Sequence, residues 1–365
     1  MFKQILGLSV ASFALSVGGA AFADSIDPTE FSTDLAMGES VTIEKTVVVE
    51  ESGTSSAVID AFFLIDTSGS MGSEINNAKT ATADIIAALD GFGDFEAGVG
   101  VFSEAASEGP GDGSVNNTSF NLDLTSDSTA ISDAIDDVTL CVPDCGGSFP
   151  ESSNKAIDIA LESASWRPGS NRFMFVMGDA SSNEFVSDAD ILAGLSANNV
   201  DLIGLNFGGT AFADDITDIG GTVFDGGTSP GDIVDAITAG IVAGFANYSE
   251  VSVGDLGEAL PGIIVSAVCT GADTGVCDGD TAKGDYDRST DREFTFEVTF
   301  TRAADGETSF FTYALVDGGI VARESDRIGM GGGGGGGPSV VPLPASAWLL
   351  LAGFGGLAAL RRRKG

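Results

Sequence analysis

The chain has 365 residues, of which 43% are apolar, and it contains no histidine. The absence of histidine excludes Ser-His-Asp and Cys-His catalysis and every metal site that needs an imidazole ligand. Residues 24–330 carry 11 basic and 54 acidic groups, a net charge of −43. A surface this negative repels phosphate backbones and suits the binding of cations, so we expect no nucleic-acid partner.

The first 23 residues have the pattern of a secretory signal peptide. Lys3 precedes an apolar stretch, Ile5–Val17, and Ala21-Phe22-Ala23 is a small-residue cleavage site before Asp24. We therefore expect residues 1–23 to be removed and the rest of the chain to be exported.

The C-terminal end is patterned as well. A Gly-rich linker, residues 330–339, is followed by an apolar stretch and a basic end, Arg361–Lys364. Residues 340–360 are long enough to cross a bilayer, with the basic end in the cytoplasm. The short motif at the start of this segment is Val341, Pro342, Leu343, Pro344 and Ala345.

This tail, residues 340–365, resembles the VPLPA-type PEP-CTERM sorting signals of Gram-negative bacteria, which an exosortase-type membrane protease reads. The resemblance implies transient anchoring in the inner membrane by a transmembrane helix, then processing and release or attachment at the cell surface. An ordinary C-terminal anchor is the alternative, and both place the body of the protein outside the cytoplasm.

The four cysteines fall into two close pairs, Cys141 with Cys145 and Cys269 with Cys277. In an exported protein this spacing favours two local disulfide bonds. A zinc site made of all four thiolates is the alternative.

Residues 57–247 alternate between strand and helix patterns. Ala57–Ile65 is an almost continuous apolar run, as in a central parallel strand, and Glu74–Leu89 has helical spacing of its apolar residues. Later strands are predicted at 95–102, 119–124, 172–177, 200–207 and 222–224, and later helices at 131–138, 152–166, 189–195 and 232–245. The alternation predicts a doubly wound, Rossmann-like parallel sheet with its ligand site beyond the carboxyl ends of the strands.

Oxygen-bearing side chains stand at those strand ends. Asp66, Ser68 and Ser70 follow the first strand, Glu151 lies in a later loop, and Asp179 ends another strand. A set of hard oxygen ligands favours Mg²⁺, with Mn²⁺ or Ca²⁺ as the alternatives. The other interpretation is structural, with the serines capping the following helix and Asp66 closing a turn.

With these residues in place, the region 57–247 resembles the von Willebrand factor type A (VWA) domain with its metal-ion-dependent adhesion site. Asp66, Ser68 and Ser70 match the family's D-x-S-x-S motif, and Asp179 ends a segment that looks like the strand carrying the family's distal aspartate. The resemblance implies that a divalent cation binds here and accepts a carboxylate from a partner.

The loop that contains Glu151 departs from the pattern of integrin α subunits, in which this loop supplies a threonine. Pro150-Glu151 is instead similar to integrin β subunits, so the resemblance implies a metal-ligand role for Glu151, with Ser148 as a further candidate. Glu74 stands where integrin β subunits have an adjacent calcium site, and it is also a candidate ligand.

The flanking segments have strand patterns. Residues 248–329 predict a small antiparallel β-sandwich domain, and residues 40–50 show a strand-like pattern of Val41, Ile43, Thr46 and Val48. The N-terminal segment 24–56 either pairs with the C-terminal strands or forms a separate ribbon. The acidic segment 273–287 is predicted to be a solvated loop.

Together these features predict an exported, surface-associated adhesion or binding protein that is not an enzyme. Its partner would be an extracellular protein or polysaccharide that bears a carboxylate. The alternative is a structural component of the extracellular matrix or exopolysaccharide layer, in which the metal only stabilises the fold. A metal-assisted hydrolase is disfavoured because the chain lacks histidine and a matched acid–base pair.

Overall fold

The computed structural model describes residues 24–51, 55–103, 118–141, 150–182, 186–257, 262–306 and 308–330. The predicted signal peptide, Cys145, Ser148 and the sorting motif lie outside these residues. The described part of the chain contains no helix that is both long enough and apolar enough to span a membrane.

The N-terminal segment begins with three strands: β1 (Ser25–Asp27), β2 (Glu30–Leu35) and β3 (Ser40–Val49). The inward face of β3 beyond Ile43 carries Lys45, Val47 and Val49, all of which are buried. The sequence analysis included Thr46 and Val48 in the strand-like pattern of this segment, but both side chains are only half-buried. The reason is that every second side chain from Val41 onward points inward, and this alternation places Lys45 in the core.

The α/β unit follows. Its strands are β4 (Ala57–Asp66), β5 (Gly93–Phe102), β6 (Ser119–Thr125), β7 (Asn171–Gly178), β8 (Val200–Asn206) and β9 (Thr222–Asp225). Its helices are α1 (Gly72–Phe92), α2 (Ser128–Asp136), α3 (Ser153–Ser163), α4 (Asp188–Asn198), α5 (Thr210–Asp218) and α6 (Pro230–Phe245), and a 3-10 turn, Gly69–Met71, precedes α1.

These strands form one six-stranded sheet in the order β6-β5-β4-β7-β8-β9. The predicted parallel α/β sheet is confirmed for five strands, whereas the edge strand β6 runs antiparallel to β5. Helix α5 was not predicted.

Strand β4 is buried on both faces because it lies between β5 and β7 and between two layers of helices. Phe63 and Ile65 pack in the apolar cluster with α1, α2 and α6, whereas Phe62 and Leu64 pack in the cluster with α3, α4 and α5. Two-sided burial explains why its sequence, apart from Asp60 and the terminal Asp66, is a continuous apolar run rather than an alternation.

Within the described residues, seven further strands follow: β10 (Asn247–Gly254), β11 (Ile263–Ala272), β12 (Val276–Asp278), β13 (Thr281–Asp287), β14 (Arg292–Arg302), β15 (Thr308–Val316) and β16 (Gly319–Met330). They form two sheets with the N-terminal strands, in the orders β1-β3-β14-β11 and β12-β13-β10-β15-β16-β2. The predicted antiparallel β-structure is confirmed, with one parallel pair, β2 with β16.

The prediction of a solvated loop at 273–287 was wrong. This segment contains β12 and β13, and β13 pairs with β10 because Ala282 and Tyr286 point into the apolar core. A disulfide bond joins Cys269 to Cys277, as predicted, and it removes both thiols as zinc ligands.

The two sheets made of β1–β3 and β10–β16 form one β-unit, in which β3 pairs along its full length with β14. The α/β unit therefore lies in the sequence between strands of this β-unit. Arg288 joins the two units because its guanidinium makes two 2.7 Å hydrogen bonds to the Asp24 carboxylate and a third to the Phe245 carbonyl at the end of α6. On the other side, the Asn171 amide donates to the Ile320 carbonyl at 3.0 Å.

Asp60 is the one acidic residue within β4 before its last position, and it is fully buried. Its carboxylate accepts hydrogen bonds from the Arg167 backbone N–H at 2.7 Å, from Arg167 Nε at 2.6 Å and from Ser170 Oγ at 2.7 Å. A buried carboxylate with this many donors is a structural anchor for the loop that leads into β7.

We predict that Asp60→Ala lowers the free energy of unfolding by about 3 kcal/mol, because Arg167 and Ser170 lose a buried acceptor. Asp94→Ala is the matched control, since exposed Asp94 also contacts Arg167, at 3.1 Å, and should cost less than about 1 kcal/mol. Urea unfolding of both variants measures the difference. Equal losses for the two variants would contradict the anchoring role of Asp60.

Candidate functional site

The candidate site lies where β4, β5 and β7 end. The carboxyl ends of adjacent parallel strands meet at one edge of a sheet, and in α/β folds this edge is where ligands bind. Asp66 is the last residue of β4, Ser103 directly follows β5, and Asp179 directly follows β7.

The Asp66 loop is held by short local contacts. Asp66 is fully buried, and its Oδ1 accepts a 2.7 Å hydrogen bond from the Ser68 backbone N–H. The hydroxyls of Ser68 and Ser70 lie 3.2 Å apart, and Ser70 is exposed. Neither serine side chain caps the helix that follows. The structural interpretation of these serines as helix caps is therefore wrong, since their hydroxyls hydrogen-bond to each other rather than to the helix.

Backbone hydrogen bonds join this loop to its neighbours. The Thr67 N–H donates to the Phe102 carbonyl at 2.7 Å, and the Ser152 N–H donates to the Ser103 carbonyl at 3.2 Å. The Glu151 N–H in turn donates to the Ser181 carbonyl at 2.8 Å. The loops after β4, β5 and β7 and the segment before α3 thus form one connected framework.

Asp179 is positioned by a close backbone approach. The Phe207 N–H donates to the Gly178 carbonyl at 3.0 Å, and a Cβ atom built on Gly208 would lie only 2.0 Å from the Asp179 carbonyl oxygen. Only glycine fits at position 208 without moving Asp179. Sequence reasoning did not single out Gly208, because nothing in the local sequence reveals this contact.

The two aspartates at the site present open oxygens. Within the described residues, Asp66 Oδ2 and Asp179 Oδ1 are buried and have no hydrogen-bond partner. Burial raises the pKa of Asp66 to about 7, the hydrogen bonds from Ser68 act in the opposite direction, and the negative charge of Asp179 adds a further increase. A buried carboxylate with an open oxygen beside a second carboxylate is unfavourable unless a cation compensates the charge.

Ser103 belongs to the same edge, although it was not predicted. Its side chain is fully buried, and its hydroxyl has no partner among the described residues. The sequence signal was available, since Ser103 is the first polar residue after a strand adjacent to β4.

The remaining predicted ligands differ in position. Glu151 is buried at the segment before α3, forms a bridge with Ser182, and lies next to the framework described above. Glu74 lies in the first turn of α1, where the Ser73 hydroxyl donates to its carboxylate at 2.9 Å. Ser148 lies outside the described residues.

The described chain contains no group of three or more cysteine, aspartate or glutamate side chains arranged to hold a metal ion. Asp66 and Asp179 lie at the same edge of the sheet, and Glu151 does not join them in a three-carboxylate cluster within the described residues. The open oxygens of Asp66 and Asp179, together with the Ser68 and Ser70 hydroxyls, fit a hard divalent cation. The ligand role of Glu151 stays a prediction.

We predict that Mg²⁺ raises the melting temperature of the full chain, since an ion at 100 times its Kd adds about 2.7 kcal/mol of stability. Asp66→Asn keeps the acceptor for the Ser68 N–H but removes the charge, so it should abolish the shift. Thermal unfolding with Mg²⁺, Mn²⁺, Ca²⁺ or EDTA measures the effect.

The matched control for this measurement is Asp225→Asn. Asp225 also ends a strand at this edge of the sheet, but it is exposed and accepts a hydrogen bond from the Gly227 N–H at 2.9 Å. A wild-type protein that does not respond to millimolar ion, or an Asp66→Asn variant that still responds, would contradict the site.

Comparison with known proteins supports the assignment of the α/β unit. Residues 61–205 match the family model described as "von Willebrand factor A domain". This stretch begins within β4, ends within β8, and contains Asp66, Glu151 and Asp179. No curated protein matches the chain.

Solved structures with a similar arrangement include a von Willebrand factor type A protein from Catenulispora acidiphila. That match has 14% identity and a TM-score of 0.40, and covers 86% of this chain and 75% of the other. Proximal thread matrix protein 1 from the mussel byssus, described with a zinc-occupied MIDAS motif, matches with 16% identity and a TM-score of 0.40. That match covers 55% of this chain, which spans about half (48%) of the mussel protein. Residues 61–205, which form most of the α/β unit, are therefore similar to the von Willebrand factor A domain, in agreement with the parallel sheet that contains them.

Proposed function

We propose that this protein is a binding or adhesion module whose VWA domain holds a divalent cation and, through it, a carboxylate of an extracellular partner. The observation that carries the proposal is the pair of buried, open carboxylate oxygens on Asp66 and Asp179 at the carboxyl edge of the sheet. VWA domains are typically interaction modules rather than enzymes, and we propose no enzymatic activity for this chain.

The proposed ligands are Asp66, Ser68, Ser70, Glu151 and Asp179, with Mg²⁺ as the expected ion. Two of the five are neutral hydroxyls, which leave the charge of the ion less neutralised than carboxylates would. When bound, the ion supplies an electrophilic position that accepts a carboxylate oxygen. The chain holds its ligands in fixed positions through the backbone bonds of Thr67, Ser152 and Glu151.

The charge of the chain limits which partners can approach. Residues 24–330 carry a net charge of −43, which opposes an acidic partner at long range. Salt of about 0.1 M reduces the range of this repulsion to roughly 10 Å. Moderate salt should therefore strengthen binding to an acidic ligand, whereas it weakens most electrostatically driven complexes.

We predict that the full chain binds immobilised polygalacturonate in Mg²⁺ and is released by EDTA. Asp66→Asn should lose binding, and Asp225→Asn should retain it. The carboxyl-reduced form of the same polysaccharide should not bind, because it lacks the group that the cation accepts. Biolayer interferometry at two salt concentrations measures both the affinity and its salt dependence.

Alkali-processed gelatin, an acidic protein, serves as the second probe. Binding that persists in EDTA, or equal binding of the carboxyl-reduced polysaccharide, would contradict metal-mediated recognition. A clear Mg²⁺ response in thermal unfolding without binding to either acidic probe would favour the alternative, a structural matrix component whose ion only stabilises the fold.

We further propose that the protein acts outside the cytoplasm, at the cell surface or in the surrounding matrix. The support comes from the sequence, namely the signal-peptide pattern of residues 1–23 and the resemblance of residues 340–365 to sorting tails. An exosortase-type enzyme and the inner membrane are the partners that this tail implies.

Mass spectrometry of the exported protein tests this proposal. The mature chain is expected to begin at Asp24, and Ala23→Arg should block cleavage and leave residues 1–23 attached. A protein recovered outside the cell with its first 23 residues intact would contradict the predicted cleavage.

A further inference from the structure

A lysine lies in the core of the β-unit, between the two sheets. Lys45 is on the inward face of β3, and Glu324 and Asp326 are on the inward face of β16 in the other sheet. All three side chains have no exposed surface. Lysine, glutamate and aspartate are rarely fully buried, so three of them together in one core need an explanation.

The three charged groups contact one another directly. Lys45 Nζ donates to Glu324 Oε2 and lies 3.7 Å from Asp326 Oδ1. The Thr312 hydroxyl donates to Asp326 Oδ2, and Lys45 Nζ lies 5.2 Å from the centre of the Phe300 ring. The amine is therefore fixed between two carboxyl groups in an apolar surrounding.

The charges of these three groups do not balance. Two carboxylates and one ammonium leave a net negative charge that water cannot screen, which is costly in a buried site. Burial raises the pKa of Glu324 to about 7 and also raises the pKa of Asp326, while attraction to Lys45 acts in the opposite direction for both. Among the described residues, Glu324 Oε1 and Asp326 Oδ1 are buried without a hydrogen-bond partner.

We propose that Lys45 Nζ and the Glu324 side-chain carboxyl join in an intramolecular amide bond, with Asp326 as the proton-transfer group. The Nζ–Cδ bond forms, and the bond between Cδ and the carboxyl hydroxyl breaks. Asp326 accepts a proton from Nζ and returns it to the departing hydroxyl, which leaves as water. One amine and one carboxylic acid thus give one amide and one water molecule, with no oxidant or reductant.

Three features of the core favour this reaction. The reacting groups are held in contact by two different sheets, which replaces a bimolecular encounter by a fixed approach. Water, the product of condensation, is excluded from the site. The neutral amide also removes a buried pair of opposite charges and the desolvation cost that comes with it.

The position of the bond gives it a structural consequence. Lys45 and Glu324 are 279 residues apart, and the whole VWA domain lies between them in the sequence. The amide would link the strand that precedes the α/β unit to the last described strand of the chain. A load applied through the C-terminal tail would then pass across the two sheets covalently rather than through strand pairing alone.

Peptide mapping of the wild-type full chain, reduced and denatured before trypsin treatment, tests the proposal. Trypsin releases Glu324–Arg327 after cleavage at Arg323 and Arg327. We expect this peptide to be joined to one containing Lys45, with the mass of one water missing and with no cleavage after Lys45. Fragmentation between Glu324 and Asp326 identifies which carboxyl carries the bond.

The chain supplies its own control. Lys283 also lies near two carboxylates, at 3.0 Å from Asp278 and 3.6 Å from Glu250, but all three side chains are exposed. We expect normal cleavage after Lys283, because water competes with the reaction there. Lys45→Met should abolish the cross-linked peptide, and Asp326→Asn should lower its yield.

Each outcome decides the proposal. Complete cleavage after Lys45 in the wild-type protein would overturn it and leave an ion pair only. A bond mapped to Asp326, or the loss of ammonia instead of water in Asp326→Asn, would overturn the assignment of Glu324 as the acceptor. The wild-type mapping stands even if Lys45→Met fails to fold.

Discussion

The burial of β4 on both faces is the constraint on which the candidate site depends. A strand at the centre of a parallel sheet, covered by helices on each side, ends in a fixed position relative to its neighbours. Asp66 therefore leaves the core at the same edge as the residues that follow β5 and β7. Backbone hydrogen bonds between the loops, such as that from the Thr67 N–H to the Phe102 carbonyl, then keep this edge rigid without using the side chains that a ligand would need.

Two kinds of aspartate carboxylate can be distinguished in the interior of the protein. Asp60 and Asp24 are buried, but arginine donors satisfy their carboxylates, so they stabilise the fold. Asp66 and Asp179 are different, since each keeps a buried oxygen without a partner among the described residues. Because donors satisfy the buried carboxylates of Asp60 and Asp24, the open oxygens of Asp66 and Asp179 call for a functional explanation.

The β-unit shows the same distinction within its core. Most inward positions of β3 and β14 are apolar, and the core includes Val47, Phe296 and Phe300. Lys45 interrupts this pattern at a buried position, where its polar partners among the described residues are the carboxyl groups of Glu324 and Asp326. The two units therefore each contain a group of buried charged side chains, at the sheet edge in the α/β unit and between the sheets in the β-unit.

The amino-acid sequence by itself determined the α/β alternation, the strand-end positions of Asp66 and Asp179, and the disulfide bond between Cys269 and Cys277. These features depend on local periodicity and short spacings, which are visible along the chain. Only the tertiary structure decided that Gly208 must be glycine, that Ser103 shares the site, and that Lys45 meets Glu324. Those contacts join residues that are tens to hundreds of positions apart, and no local pattern specifies which strands become neighbours or which of their side chains meet.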